Sequence, residues 1–251
     1  MMNDEIREAI HSAQNATFDD EIELALEKLL DLNNQYPENP HVKTELGILY
    51  AKTEQDVKAE QMLASVMTND PDFERAVSTL GRLYDSLLRT EEAETLYKDY
   101  LLRHPDNSYI TEDLCRLFES EGRLDESLNL ARTHYSNIPN KFDSYNPIRY
   151  VLQQVENQLE DDLIEDEFSC KIRIRQVENY LEQLDVFRSI LENVDISNQD
   201  EIVDLNDDIS RVYCELSDLK VQLAQDGCKI SSALRKRIEN ADAFKATYMP
   251  E

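Results

Sequence analysis

Residues 40–71, PHVKTELGILYAKTEQDVKAEQMLASVMTNDP, and residues 74–105, ERAVSTLGRLYDSLLRTEEAETLYKDYLLRHP, are two versions of one pattern. Leu46-Gly47 answers to Leu80-Gly81, Tyr50 to Tyr84, Ala59 to Ala93, Leu63 to Tyr97 and Pro71 to Pro105, every pair at the same interval. The step continues outward. Pro37 and Pro139 keep it, Leu114-Cys115 and Phe118 extend the first register, and Ala25, Ser127, Leu29 and Ala131 extend the others. A repeat of this length marks an array of stacked helical units, each burying its apolar face against the next.

The residue types have mechanical reasons. Leu46 and Tyr50 lie four apart and share one helix face, while Gly47 and Ala59 are small enough to let two antiparallel helices approach closely. Each recurring proline ends a second helix and opens a turn. Asn39 before Pro40, Thr53, Thr90, and Asn146 before Pro147 stand where helix N-caps are expected. Helix pairs are therefore predicted over 6–37, 40–71, 74–105 and 108–139.

This pattern resembles the tetratricopeptide repeat family, whose motif of Leu-Gly, an aromatic, a later Ala, a large apolar residue and a closing Pro is matched best at 40–71 and 74–105. The first unit departs with Ser12-Ala13 and Ala16, the fourth with Cys115 and Ser127, and both read as degenerate end units. The resemblance implies an all-α, tetratricopeptide-type α-solenoid, a right-handed superhelix of helix pairs. It also implies a concave groove lined by the first helix of each pair. Aligned by phase, the groove residues are Arg7, Ile10 and Gln14; His41, Thr44, Ile48 and Lys52; Arg75, Ser78, Arg82 and Asp85; and Tyr109, Glu112, Arg116 and Glu119. Of these, Thr44, Ile48, Lys52, Arg75, Ser78, Arg82, Asp85, Tyr109, Glu112 and Arg116 are the candidate partner-binding set. Arg82 and Arg116 share one slot in consecutive units, which suggests an acidic or carboxylate-bearing peptide. The competing expectation is internal pairing with Asp85, Glu112 or Glu119. The lysine, asparagine and arginine clamp by which some members hold chaperone C-termini is not matched: the corresponding slots hold Ile10, Gln14, Glu45, Arg75 and Thr79.

The repeat phase fails after Lys141. Residues 147–160, with Ile148, Tyr150, Val151, Leu152, Val155 and Leu159, read as a helix capping the array, and Glu156 to Glu167 as an acidic, solvated helix end or linker. Further on, Ile174, Val177, Leu181, Leu184, Arg188 and Leu191 match Ile202, Leu205, Ile209, Val212, Leu216, Leu219 and Leu223 in three-four spacing across the polar connector Asn193 to Gln199. Tyr180, Phe187 and Val194 widen the first stripe. An antiparallel intramolecular hairpin is expected, with an intermolecular coiled-coil dimer as the alternative. Asp226-Gly227 ends the second stripe, and a last helix over about 229–246 adds Ile230, Leu234, Ile238, Ala241 and Phe244. The expected division is 1–164 for the solenoid with its cap and 165–251 for the C-terminal helices.

Composition supports a helical chain. Among 251 residues there are 4 glycines and no tryptophan. Fifty-three acids against 26 bases give a net charge of −27, which repels phosphate backbones and anionic membrane surfaces. Neither nucleic acid nor membrane is an expected partner. Met1-Met2-Asn3-Asp4-Glu5 shows no basic stretch before an apolar core, and the reading is cytoplasmic. Cys115, Cys170, Cys214 and Cys228 form no C-x-x-C pair and are expected to be reduced structural thiols; no metal or cofactor is expected. The histidines at 11, 41, 104 and 134 have no nucleophile at a recognisable spacing, and no catalytic motif occurs, so no enzyme activity is expected. The function expected is a scaffold or adaptor holding a partner peptide or helix in the groove, as a monomer. The alternative is a dedicated chaperone keeping one client soluble.

Overall fold

A computed structural model describes residues 4–138, 145–165, 169–193 and 199–248. Pro139, Lys141 and Val194 lie outside them, as do the side chains of Ile202 and Phe244. The described residues form twelve helices: α1 (Asp4–Asn15), α2 (Asp19–Gln35), α3 (Pro40–Lys52), α4 (Asp56–Asn69), α5 (Glu74–Ser86), α6 (Thr90–Arg103), α7 (Ser108–Ser120), α8 (Leu124–Asn137), α9 (Asn146–Glu165), α10 (Cys170–Asn193), α11 (Gln199–Gln225) and α12 (Ser232–Tyr248). The chain divides within α7 into two compact units, Met1–Leu117 and Phe118–Glu251.

The sequence period is a structural period. Helices α3, α5 and α7 begin at Pro40, Glu74 and Ser108, and α4, α6 and α8 begin at Asp56, Thr90 and Leu124, one constant step in both series. The registers that keep the phase are the core. Ala25, Ala59, Ala93 and Ser127 are buried, as are Leu29, Leu63, Tyr97 and Ala131. In the first unit Ala25, Leu29, Ala59 and Leu63 join Ile6, Ala9, Leu46, Leu49 and Leu80 in one apolar cluster. Glycine is required where the helices touch: a Cβ on Gly47 would stand 2.7 Å from Leu63 Cγ, and one on Gly81 would stand 2.2 Å from Tyr97 Cζ.

A second periodic feature lies in the turn between the helices of each pair. Glu54 (φ 57°), Leu88 (φ 59°) and Gly122 (φ 70°) are all left-handed and follow one another at the same step as the helices. Backbone bonds lock these turns, as in Arg89 N–H to Tyr84 O at 2.8 Å and Arg123 N–H to Phe118 O at 2.7 Å. Of the expected caps, Asn39 accepts from the backbone N–H of His41 and Val42 at 3.0 and 3.1 Å. Thr53 instead closes α3, its hydroxyl donating to Leu49 O and Tyr50 O, and Thr90 is already the first residue of α6. In the first of these turns the left-handed step follows Thr53, so the threonine belongs to the helix that ends there and not to the one that starts beyond.

In the second unit α9 packs on α8 as the capping helix was expected to, and α10 covers α9 in turn. Glu156, expected in a solvated acidic stretch, is buried. It accepts from Tyr180 Oη at 3.0 Å, Gln183 Nε2 at 2.9 Å and Arg211 Nη1 at 2.6 Å, a neutralised cluster that fixes the register of three helices. Burial of Tyr180 itself, with the neighbouring Glu156 carboxylate, pushes its hydroxyl well above the usual tyrosine range. Helices α10 and α11 form the expected hairpin. Val177, Leu181, Leu184 and Phe187 are buried, as are Leu205, Ile209, Val212, Leu216 and Leu223. The expectation of four reduced thiols is corrected: Cys170 and Cys228 form a disulfide across a sequence separation of 58, while Cys115 and Cys214 remain thiols. Local spacing carries no trace of the pair, because the length of the hairpin brings its two ends together. Among the described residues no helix is long and apolar enough to cross a membrane.

Candidate partner-binding groove

The first helices of the pairs, α3, α5 and α7, present successive slots to one face of the first unit. At the slot of residues 45, 79 and 113 the sequence places Glu45, Thr79 and Asp113. Both acids are buried, and each gathers polar groups from neighbouring helices. Glu45 accepts from Gln14 Nε2 of α1 at 2.8 Å and pairs with Arg75 of α5. Asp113 accepts from Ser78 Oγ at 2.6 Å, and its Oδ1 takes both Arg82 Nη2 at 2.7 Å and Arg82 Nε at 3.1 Å. Arg116 reaches Glu112 at 2.6 Å within α7.

The expected strip of cations is therefore largely neutralised inside the wall. Arg116 has the partner foreseen for it. Arg75 and Arg82 do not, since Glu45 and Asp113 hold them rather than Asp85, Glu112 or Glu119. Arg82 nevertheless keeps 68% of its side chain exposed, so one edge of the guanidinium remains open to a second acceptor. Thr44 is fully buried and Ile10 belongs to the core; neither lies on the groove surface. The tight packing of α3 against its neighbours turns the Thr44 slot inward, which the phase alignment had put outward. Tyr109 is 59% exposed. Asp85 is half-buried, and burial alone pushes its carboxyl above the usual range.

The remaining residues meet at a cavity of about 310 Å³ between α3 and α5, lined by Ile48, Ala51, Lys52, Thr79, Arg82, Leu83 and Ser86. Ile48, Ala51 and Leu83 make its apolar floor, and Lys52 and Arg82 its basic rim. Lys52 is exposed and forms no ion pair among the described residues. Ala51, Leu83 and Ser86 escaped the sequence reading, and Thr79 entered it only as a slot of the unmatched clamp. The signal was available: 51 and 52 lie one turn past Ile48, and 79, 83 and 86 share the face of Arg82. No cluster of His, Cys, Asp and Glu suited to a metal ion occurs among the described residues.

The described architecture, helix pairs recurring at a constant step with small residues at the crossings, is that of an all-α, tetratricopeptide-type helical repeat. No protein-family model matches the chain, and no curated protein matches it in sequence. Solved structures similar to it include a tetratricopeptide repeat protein from Parabacteroides merdae, at 11% identity over 96% of this chain and 100% of that one, with a TM-score of 0.46. A MamA structure from AMB-1 is similar at 20% identity over 60% of this chain and 86% of that one, TM-score 0.41. A further MamA structure is similar at 15% identity over 65% and 88%, TM-score 0.43.

Proposed function

We propose that the chain is a protein–protein interaction scaffold that holds an extended peptide of a partner protein against α3 and α5. The observation that carries this reading is the cavity with an apolar floor and a basic rim, whose Lys52 is unspent on any internal pair among the described residues. It fits an aliphatic side chain followed by a carboxylate: the first enters between Ile48 and Leu83, the second meets Lys52 and the open edge of Arg82. The mechanism is binding in a preformed site with no bond made or broken. The proposed working unit is the solenoid with its cap, residues 1–164, and the C-terminal helices 165–251 form a second surface.

The test starts from the partner identified by affinity capture of the intact chain and uses a synthetic peptide from it in calorimetric titration. Lys52→Glu and Ile48→Arg each lower affinity at least about tenfold, equivalent to about 1.4 kcal/mol. Unchanged affinity in both variants removes the groove from the reading. Co-purification with a single abundant client, kept soluble only in complex, replaces the scaffold with a dedicated chaperone.

A further inference from the structure

The Cys170–Cys228 bond holds an element that otherwise has little to hold it. The α10–α11 hairpin is secured by its own apolar seam and by the Glu156 cluster. Helix α12 is different. Among its side chains described, only Leu234, Ile238 and Ala241 are buried. Two cavities flank it. One of about 390 Å³ lies toward α11, lined by Leu223, Ala224, Ile230 and Ile238, with Cys228 in its wall. The other, about 220 Å³, lies toward α10 beside Leu181 and Leu184. The polar ties of α12 include one buried bond, Tyr213 Oη donating to Ala241 O at 2.9 Å, and two exposed pairs, Lys220–Asp242 at 2.7 Å and Arg237–Asp185 at 3.0 Å. Pairs of the exposed kind contribute little. What fixes the approach of α12 is the turn before it, and that turn is bonded at Cys228 to the start of α10, the two Cα atoms 5.5 Å apart.

The surroundings of the sulfurs suit exchange. Cys170 is the first residue of α10, where the helix dipole favours negative charge. Lys171 follows it and Lys229 follows Cys228, local cations in a chain of net charge −27. Arg173 is also near, its charge met by Asp226. Cysteines at helix N-termini and beside lysines are the reactive ones, and a dithiol stabilised as thiolate makes its disulfide easier to reduce. Both residues are half-buried, within reach of a small thiol.

We propose that Cys170–Cys228 is a redox-active pair, exchanged with small thiols of the glutathione class, and that its reduction releases α12 from the hairpin. A glutathione thiolate attacks the Cys228 sulfur and expels Cys170 as thiolate, the better leaving group at its helix N-terminus. A second thiolate attacks the mixed disulfide, leaving oxidised glutathione and the Cys228 thiolate. Two electrons pass from two glutathiones to the protein sulfurs, which take up protons from water as their pH equilibrium requires. Release of α12 uncovers Leu181, Leu184 and Leu223, an apolar face absent from the oxidised surface.

The experiment is amide hydrogen exchange on the full chain, oxidised and then equilibrated with reduced glutathione, in a Cys214→Ser background so that the exposed free thiol takes no part. Exchange across 232–243 is expected to accelerate at least about tenfold more than that of 177–190, and to slow again when oxidised glutathione is added. The Cys170→Ser/Cys228→Ser variant should show the fast pattern at any glutathione ratio. Three results each overturn the proposal: a bond that glutathione leaves intact, exchange in 232–243 that ignores reduction, or equal loss of protection in 177–190, which makes the bond a staple of the whole unit.

Discussion

Substituting Gly81 with alanine tests the packing argument directly. The added methyl carbon would stand 2.2, 2.4 and 2.5 Å from Tyr97 Cζ, Cε1 and Oη, where apolar contact is comfortable at about 3.5–4.0 Å. The ring has nowhere to go. Tyr97 is 1% exposed, and its hydroxyl donates to Ser78 O at 3.3 Å. Either α5 and α6 separate by more than an ångström or the ring leaves its site and gives up that bond. Overpacking costs about 1–3 kcal/mol and this overlap belongs at the upper end; the lost hydrogen bond adds about 1 kcal/mol. Against this, alanine favours helix over glycine by about 0.8–1.0 kcal/mol. The net loss is about 3 kcal/mol.

Gly47→Ala is the internal control. Its methyl meets Leu63 at 2.7, 2.9 and 3.3 Å, all atoms of a branched chain that turns aside at modest cost, so the net falls to about 0–2 kcal/mol. Urea unfolding followed by circular dichroism measures both. Removing the ring should rescue the larger defect: in the cycle with Tyr97→Ala, the Gly81→Ala cost is expected to drop by at least about 1.5 kcal/mol. A Gly81→Ala protein as stable as the parent, a Gly47→Ala protein that suffers more, or strictly additive effects in the cycle would each refute the close-approach argument.

Three further outcomes follow from the same contacts. Arg82→Glu faces a carboxylate toward buried Asp113 and should lower stability by at least about 2 kcal/mol in thermal melts, whereas Arg116→Glu disturbs a helix-surface pair and should cost under about 1 kcal/mol; equal effects would deny the Asp113 contact its role. Leu88→Gly removes a side chain that is 88% exposed and relieves a left-handed backbone, so calorimetry should show a gain of about 0.5–1 kcal/mol. Hydrogen bonds from Arg89 hold the Glu60 carboxyl below its ordinary 4.5, despite partial burial, and hold that of Glu92 low as well. A lowered folded-state value stabilises above the ordinary value and is lost as pH falls through the folded one, so acidification below about pH 4.5 should weaken the parent more than Arg89→Gln in urea melts.

The period was legible because it repeats residue size at helix crossings: Gly47 and Gly81 announce close approach, and the alanine register announces the seam. The left-handed turn was equally periodic and invisible, because Glu54 and Leu88 occupy two of its three positions and only Gly122 shows the residue such a backbone prefers. The hairpin could be read from its apolar stripes. The disulfide across its far ends could not, since two cysteines at a separation of 58 become neighbours only once both helix lengths are known.

The partners of Arg75 and Arg82 were misread for a related reason. Phase alignment compares residues one full repeat apart, but five side-chain bonds between neighbouring repeats fall nearly a helical turn short of that. Gln14 bonds Glu45, Glu38 bonds Asn69, Asp72 bonds Arg103, Arg82 bonds Asp113 and Glu119 bonds Tyr150, every one at a separation of 31. Looked for at that offset, Arg82 has a partner in the sequence, and its place in the arginine slot is first a matter of joining α5 to α7. Recognition is then left to a group outside the offset pairs. At the same offset, Lys52 meets Leu83 on one side and Glu21 on the other, and the structure gives Glu21 to the Thr17 and Phe18 backbone amides. Lys52 thus stands beside the apolar floor with its charge unspent among the described residues. On the function proposed above, a partner held in this groove answers to Lys52, the open edge of Arg82 and one cavity, and specificity rests more on the fit of its aliphatic residue between Ile48 and Leu83 than on a run of acids.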